Sequence, residues 1–597
     1  MVQHELVAQL SARGIEVPLT HDVPELDAAA LAHRLILSGN ASERDALSVV
    51  ASLQNSRLLD LKTHSPDPGL APLVPAATAI ALSMVPVKRM GSRLIVATSR
   101  ADLGKEIKRA LPDHNVMIAL ATRDDITAAI KDLYGHHLAR QAECRTPEAV
   151  SARIWGSAGL SVRLLLPILA VAFLAVVAPS ATYLGLVALA LTVFAVNMGL
   201  KVSAASAAHR QRRADLPSTA RAIPLFSEPV ITLLVPIFDE DDVAGDILAR
   251  IDRLDYPRDR LDVIFVLEEE DATTHAALRT CALPAWARAI TVPPGSPQTK
   301  PRALNYALPF ARGTIIGIYD AEDAPEPDQL RKVAARFAVA PPQVACLQGQ
   351  LDYYNAGHNW ISRSFTIEYA TWFRLVLPGV AAMGLVVPLG GTTLFVKRDA
   401  LISVGAWDAH NVTEDAELGI RLQRAGFRTE LIDTTTFEEA NSAIWPWIRQ
   451  RSRWLKGYAI TWATVMRRPG LLMRELGPRR FWGLQAQFAG TVLGFVTAPI
   501  LWSFALLPFG LPQPVANFIT PGTAGAIFAC ALLATLYINW LACSAPHLRR
   551  QRKFLPLMVL YYPLASIAAM VALIDLAARP FYWAKTAHGR YGEGVAD

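Results

Sequence analysis

The sequence predicts an α/β domain, a parallel-rich sheet with helices on both faces, inserted between transmembrane α-helices and preceded by a small N-terminal α/β domain. Three observations predict it. Apolar, β-prone runs such as "ITLLVPIF", "LDVIFVL" and "GTIIGIYD" alternate with helical segments from about Pro229 to Phe437, and continuous apolar strands separated by helices belong to sheets buried on both faces. Leu164 to Leu200 carries no charged residue. Apolar residues make up 52% of the 597 and charged ones only 18%, the balance of a membrane protein carrying soluble parts rather than of one compact domain.

Residues 1–150 mix polar helices such as "DAAALAHRLILSGNASERDALSVVASLQ" with a short strand, "SRLIVATS", that leads into the helix-like "RADLGKEIKRAL". This reads as a small folded α/β module. Its start, "MVQHELVAQL", has neither a basic beginning nor an apolar core and does not read as a signal peptide. The five cysteines, at 144, 281, 346, 530 and 543, lack metal-ligand spacing, which argues against zinc or a disulfide framework and fits reducing surroundings.

The uncharged run is long enough for two helices of roughly 18 residues across a core of about 30 Å, so residues 160–202 read as a transmembrane hairpin. Arg153 and Arg163 precede it, and Lys201, Arg210, Arg212 and Arg213 follow. The positive-inside rule then puts both ends, and both flanking soluble regions, in the cytoplasm of a multi-pass bacterial inner-membrane protein. The net charge of +6 is small for this length and suits loops facing an anionic leaflet. With no basic stripe interleaved with aromatics, nucleic acid is not an expected partner.

Residues 213–460 form the predicted cytoplasmic catalytic domain. Within it, "IEYATWFRLVLPGVAAMGLVV" contains only Glu368 and Arg374 as charges and reads as a helix lying in the interface. Residues 480–580 hold three further apolar segments, roughly Gln485 to Leu507, Ala524 to Ala542 and Leu555 to Leu576. Three full crossings would leave the basic tail, 581–597, outside, so one segment is expected to be re-entrant or split at Pro499.

Ligands in parallel α/β sheets sit beyond the carboxyl ends of the strands. There "IIGIYDAEDAPEPDQL" crowds Asp320, Glu322 and Asp323, hard oxygen ligands suited to Mg²⁺ or Mn²⁺ shared with phosphate; a polar turn of solvated acids is the plainer reading. "LDVIFVL" ends in "EEEDATT", with Glu268, Glu269 and Asp271, and "TKPRALNYAL" adds Lys300 and Arg302, cations able to meet a diphosphate. Thr413, Glu414 and Asp415 precede a helix, where capping would also explain them. "WPWIRQRSRWLKGY" supplies Gln450, Arg451, Arg453 and Trp454, otherwise a basic interfacial helix with aromatic anchors. Together they outline a nucleotide-diphosphate site.

In this order, from about Ile231 to Lys456, the motifs resemble the processive membrane-embedded family 2 glycosyltransferases, the group of cellulose, curdlan and hyaluronan synthases. The resemblance implies a GT-A type nucleotide-sugar transferase domain. It implies that the acidic end "VLEEED" binds the uridine base through Glu268 and Glu269, with glutamates where that family usually has aspartates, and that Asp271, Lys300 and Asp320 complete the nucleotide-sugar site. The metal-binding D-x-D becomes Asp320, Ala321, Glu322, followed by Asp323, and either Glu322 or Asp323 takes the second role with Mg²⁺ or Mn²⁺. The intact T-E-D implies a catalytic group of Thr413, Glu414 and Asp415, with Asp415 as general base. The intact Q-x-x-R-W implies that Gln450, Arg453 and Trp454, with Arg451 beside them, hold the diphosphate and the acceptor sugar. "PLGGTTLFVKRDAL" falls where the family has an acceptor-side loop, with different residues.

The expected activity is therefore processive, inverting polymerisation of a UDP-sugar, UDP-glucose first, into a β-glucan exopolysaccharide that crosses the inner membrane. The alternatives are single transfer to a lipid acceptor, and a catalytically silent membrane receptor.

Residues 1–150 resemble the N-terminal domain of type II secretion ATPases, through "VPAATAIALSMVPVKRMGSRLIVATSRADLGKEIKRAL" and "IALATRDDITAAIKDLYG". One branch of that family binds cyclic di-GMP through two R-L-G motifs. This chain carries one partial copy, "HRLILSGNAS" with Arg34 and Gly39, so the module reads as a scaffold for another subunit, with cyclic di-GMP sensing as the alternative; a periplasmic or export subunit is a further expected partner of the chain.

Overall fold

The computed structural model describes residues 2–13, 15, 27–54, 56–156, 159–214, 228–240, 243–504 and 521–579. Helices Val2–Ser11 (α1), Ala28–Leu37 (α2) and Glu43–Leu53 (α3) pack around Leu6, Leu10, Leu35, Leu47 and Val50. Asp27 and Ser42 start α2 and α3 by accepting from Ala30 N at 2.7 Å and Asp45 N at 3.2 Å, which satisfies amides that no helical carbonyl can reach. Ala76–Ala81 (α4) leads into a three-stranded sheet of Met84–Met90 (β1), Arg93–Thr98 (β2) and, after Gly104–Ala110 (α5), Asn115–Leu120 (β3). The predicted strand "SRLIVATS" is the central one, β2, antiparallel to β1 and parallel to β3. The 22-residue helix Arg123–Cys144 (α6) follows.

Gly159–Val177 (α7) and Pro179–Ala214 (α8) occupy the predicted hairpin. Two helices form, as the charge-free run requires, but α8 is 36 residues long and carries its basic end, through Arg210, as helix. No breaker follows Leu200, so the helix continues where the apolar run stops.

The catalytic part begins with Ile231–Ile237 (β4), Val243–Asp252 (α9), Leu261–Glu268 (β5), Ala272–Thr280 (α10), Ala287–Val292 (β6), Lys300–Ala307 (α11) and Ile315–Ile318 (β7). β4, β5 and β6 are parallel neighbours, with Ile231 opposite Leu261 and Val263 opposite Ala287. β5 is buried at every position, which accounts for its unbroken apolar run. There follow Ala324–Pro325 (β8), Gln329–Val339 (α12), Val344–Tyr353 (β9), Trp360–Thr371 (α13), Leu377–Ala382 (α14), Leu394–Lys397 (β10), Arg398–Ser403 (α15), Glu414–Arg424 (α16), Arg428–Glu438 (β11) and Ile444–Val465 (α17). Here the expected parallel sheet is mixed: β9 and β11 are parallel, but β10 runs antiparallel to β9 and β8 to β11. Neither antiparallel strand exceeds four residues, and such short strands lack the long apolar run from which direction is inferred.

The interface segment forms as α13, a π turn at Trp372–Val376 and α14. Beyond α17 lie Pro469–Gln487 (α18, kinked at Gly477 before Pro478), Ala489–Trp502 (α19), Pro521–Ala542 (α20) and Met558–Ala578 (α21). Helix α19 runs through Pro499, so the chain does not split there. Among the described residues four helical stretches are long and apolar enough to cross a membrane, Pro179–Gln211, Pro469–Trp502, Gly525–Ala542 and Pro546–Ala578. The basic tail, 581–597, lies outside the described residues.

The chain divides into two compact units. The first joins Met1–Glu143 with Pro224–Gly245 and Asp255–Gly317, so the N-terminal module and the strands β4 to β6 share one body. The second holds Cys144–Ile223, Asp246–Leu254 and Ile318–Asp597.

Candidate active site

In the first unit, the carboxyl end of β5 delivers Glu268 and Glu269 at the strand terminus. Glu268 is buried, with Oε2 3.4 Å from Arg302 Nη1. Burial, with Glu270 and Asp271 nearby, outweighs Arg302 and pushes its carboxyl up to about 7. Glu269 is half exposed and 2.7 Å from Lys131 Nζ. Lys300 opens α11, partly exposed.

Two expectations in this unit are corrected. Asp271 caps α10, accepting from Thr274 N at 3.0 Å through one oxygen and from Asp239 N at 2.6 Å through the other, so its carboxylate is committed to the fold rather than to a sugar nucleotide. Arg302 is no diphosphate arm: its guanidinium is wholly buried and donates to Pro293 O at 2.6 Å.

In the second unit the remaining motifs converge. β7 ends at Ile318 and the chain turns through Asp320 and Glu322, both partly exposed, to the buried Asp323. Asp323 Oδ2 accepts from Asp320 N at 2.8 Å and from Thr392 Oγ1, whereas Oδ1 has no hydrogen-bond partner among the described residues. Burial, then Asp320 and Glu322, hold its carboxyl well above the usual range. Asp323 thus builds the turn that presents Asp320 and Glu322, and Arg250 Nη1 steadies the same turn through Glu322 O at 2.7 Å.

Thr413, Glu414 and Asp415 sit at the start of α16. Thr413 is not a side-chain cap; its amide donates to Asn411 Oδ1 at 3.0 Å, and it lies where α17 passes closest. A Cβ at Gly457 of α17 would collide with the Thr413 side chain, so only glycine admits this approach. Asn411 also donates to Thr461 Oγ1 of α17 at 2.9 Å. Neither Asn411 nor Gly457 was singled out from the sequence, although an asparagine two residues before Thr413 is the signature of an Asx turn.

Along α17, Gln450 Oε1 accepts from Asn441 Nδ2 at 2.9 Å. Arg453 is half-buried; burial lowers its affinity for its proton, against the opposing fields of Glu414, Asp320 and Asp415. The charges of T-E-D and of the acidic end of β7 therefore act on the arginine of Q-x-x-R-W. Arg451 does not join them. Its guanidinium pairs with Glu368 and lies over the rings of Trp447, Phe365 and Trp454, at 5.2, 5.8 and 4.9 Å from their centroids; Tyr561 Oη donates to the same Glu368 at 2.5 Å. Burial opposes the Arg451 charge, but Glu368 and the neighbouring tyrosines more than compensate. Arg451 is structural, the partner of a carboxylate supplied by α13.

Among the described residues no three acidic, histidine or cysteine side chains form a cluster ready to hold a metal. Two carboxylates at a strand end still fit a cation such as Mg²⁺, which is usually bound by one or two carboxylates together with substrate phosphates.

Residues 315–581 match the family described as glycosyl transferase family group 2, residues 232–395 glycosyl transferase family 2, and residues 55–140 the MshEN domain. The chain is 26% identical over 236 residues to the probable glycosyltransferase YdaM of Bacillus subtilis (strain 168), covering 38% of this chain and 55% of that protein. It is 30% identical over 253 residues to the beta-monoglucosyldiacylglycerol synthase of Synechocystis sp. (strain ATCC 27184 / PCC 6803 / Kazusa), covering 40% and 51%. With cellulose synthase 2 of Novacetimonas hansenii it shares 25% over 241 residues, covering 38% and 14%. The chain spans about half the length of the first two of these curated relatives.

Proposed function

We propose that this chain, whose residues 315–581 match glycosyl transferase family group 2 and residues 232–395 glycosyl transferase family 2, is a processive, inverting glycosyltransferase that polymerises UDP-glucose into a β-glucan and passes the product through its membrane helices. The observation that carries this reading is Arg453, half-buried on α17 and within the fields of Glu414, Asp320 and Asp415. A desolvated guanidinium amid acids is poised for a diphosphate, which it can bind in bidentate fashion.

In the proposed reaction the hydroxyl oxygen of the acceptor attacks the anomeric carbon of the donor as the bond to the UDP oxygen breaks on the opposite face. The electron pair leaves with UDP, the hydroxyl proton passes to the Asp415 carboxylate, and an α-linked donor becomes a β-glycoside. Asp415 is well placed for this at the N-terminus of α16, where the helix dipole favours the carboxylate. Glu268 and Glu269 receive the base, Lys300 and Arg453 the diphosphate, and Gln450 and Trp454 the acceptor sugar. Asp320 and Glu322 would hold Mg²⁺ or Mn²⁺, with Glu322 preferred over the buried Asp323; when bound, the cation neutralises charge growing on the departing diphosphate.

A growing polymer needs polar or aromatic walls to cross lipid, and α13, α17 and α21 bring Tyr369, Trp447, Trp454 and Tyr561 into one cluster with Tyr353 at the end of β9. The catalytic and N-terminal regions are assigned to the cytoplasm of a bacterial inner membrane. The N-terminal module, within which residues 55–140 match the MshEN domain, is assigned as a scaffold for another subunit, with cyclic di-GMP as the alternative ligand.

Single transfer to a lipid is the second reading, favoured by the 30% identity to a protein named beta-monoglucosyldiacylglycerol synthase. Purified protein in nanodiscs, given Mg²⁺ or Mn²⁺ and radiolabelled UDP-glucose, separates the two. A high-molecular-weight product cut by linkage-specific glucanases is expected. Label confined to the lipid extract would replace the polymer with the lipid glycoside, and no turnover with any UDP-sugar would overturn both.

A further inference from the structure

Side chains of helix α6 of the N-terminal module tie it to both ends of β5. At its start Arg123 Nη2 donates to Asp262 Oδ1, the second residue of β5, at 3.2 Å. Part-way along, Lys131 meets Glu269. At its end Glu143 Oε1 accepts from Arg302 Nε at 3.3 Å and from Ser296 N at 3.1 Å, while Ala142 O accepts from Asn305 Nδ2 at 3.0 Å. Side chains of this one helix therefore reach both the beginning of β5 and the carboxylates at its end.

Arg302 is the joint. Its side chain has 0% exposure and is shared between a carboxylate of the N-terminal module, Glu143, and one at the end of β5, Glu268, at 3.3 and 3.4 Å. Both separations exceed the roughly 2.7 to 2.9 Å of a committed charge-assisted hydrogen bond. The cation has three acceptors: Nη2 is anchored on Pro293 O at 2.6 Å, and neither carboxylate holds it closely. Space around the pair is tight: a Cβ at Gly295 would overlap both Arg302 and Glu143. Without Glu143, Nε loses its acceptor in a buried setting, and the guanidinium closes on the one carboxylate left to it.

We propose that Glu143 is a positioning residue for donor binding: it holds Arg302 back from Glu268, so that the N-terminal module sets how the Glu268 carboxylate is presented to the base of the donor. This rests on the assignment of Glu268 to the base under the proposed function. It also gives the N-terminal module a direct mechanical route to donor affinity, because any displacement of the end of α6 moves Glu143.

The test uses the full chain in nanodiscs, with UDP as the binding probe and UDP-glucose for kinetics. Glu143→Ala is expected to weaken UDP binding and raise KM about tenfold, the scale of one charge-assisted hydrogen bond, with kcat held within about twofold. Glu143→Gln keeps an oxygen for Arg302 Nε and Ser296 N and is expected to lose only about threefold; if the alanine variant is not recovered folded, the glutamine variant decides alone. A Glu268→Gln protein with weakened UDP binding, beside Glu143 variants within about twofold of the unaltered protein, would overturn the positioning role and leave the donor site standing. UDP binding unchanged by Glu268→Gln would remove the donor assignment and the positioning role with it. A fall in kcat at constant KM in the Glu143 variants would also overturn the proposal.

Discussion

Two arginines separated by one residue, Arg451 and Arg453, have opposite fates. At 3.6 residues per turn they point to nearly opposite sides of α17; one is bound by Glu368 of α13 and the other by the field of Glu414, Asp320 and Asp415. Arg451→Ala is expected to destabilise the protein by about 3 to 5 kcal/mol, because it strands the Glu368 charge, seen as a large drop in the detergent melting temperature. Arg453→Ala should melt near the unaltered protein and lose transfer, and equal melting losses for both would remove the distinction. Asp415→Asn is expected to bind UDP normally and turn over about 10² to 10⁴ times more slowly, the range of general-base catalysis; turnover at the original rate would unseat it. Glu268 carries a pH signature. Its carboxyl, raised to about 7 chiefly by burial, is protonated below that value and charged above it. If the carboxylate accepts from the base, UDP affinity rises between about pH 6 and about pH 8, and Glu268→Gln flattens the profile.

At the scale of elements, the meeting of α16 and α17 decides whether the motifs act together. Gly457 lets α17 pass Thr413, and Asn411 ties the same loop to Thr461. Gly457→Ala is expected to push α17 away, lower kcat at least about tenfold and weaken UDP binding, since the displaced groups serve the acceptor and the diphosphate of UDP; unchanged kcat and UDP binding would mean that the approach is only packing. Much of the element pattern was legible. β5 and β7 follow from unbroken apolar runs, and the three late apolar segments appear as α19, α20 and α21. The short antiparallel strands β8 and β10 were not legible, because two to four residues carry no periodicity and their direction depends on where the chain turns back.

At the scale of the molecule, the first unit joins a module that sequence alone sets apart with strands it supports. Asp262, wholly buried, accepts from Arg123 of that module as well as from Arg288 at 3.0 Å and Arg312 at 3.1 Å. Removing residues 1–143 would uncover this cluster and leave Arg302 without Glu143. The truncated chain is therefore expected to elute as aggregate in size-exclusion chromatography in detergent, and a monodisperse, active truncation would refute the shared unit.

The sequence by itself determined the membrane helices, the strand ends crowded with acids, and the identity of the T-E-D and Q-x-x-R-W residues, because each is a local property: apolar length, turn chemistry or residue type at short spacing. Only the tertiary structure decided which of those polar groups serve the fold. Asp271 caps a helix, Asp323 builds a turn, Arg451 neutralises Glu368, and Arg302 is shared by Glu143 and Glu268. A buried charge must find its partner somewhere; Asp271 and Asp323 each combine a partner three residues away with a distant one, Asp239 N and Thr392, and the partners of Arg451 and Arg302 lie 34 to 159 residues away, brought into reach only by the packing of the chain.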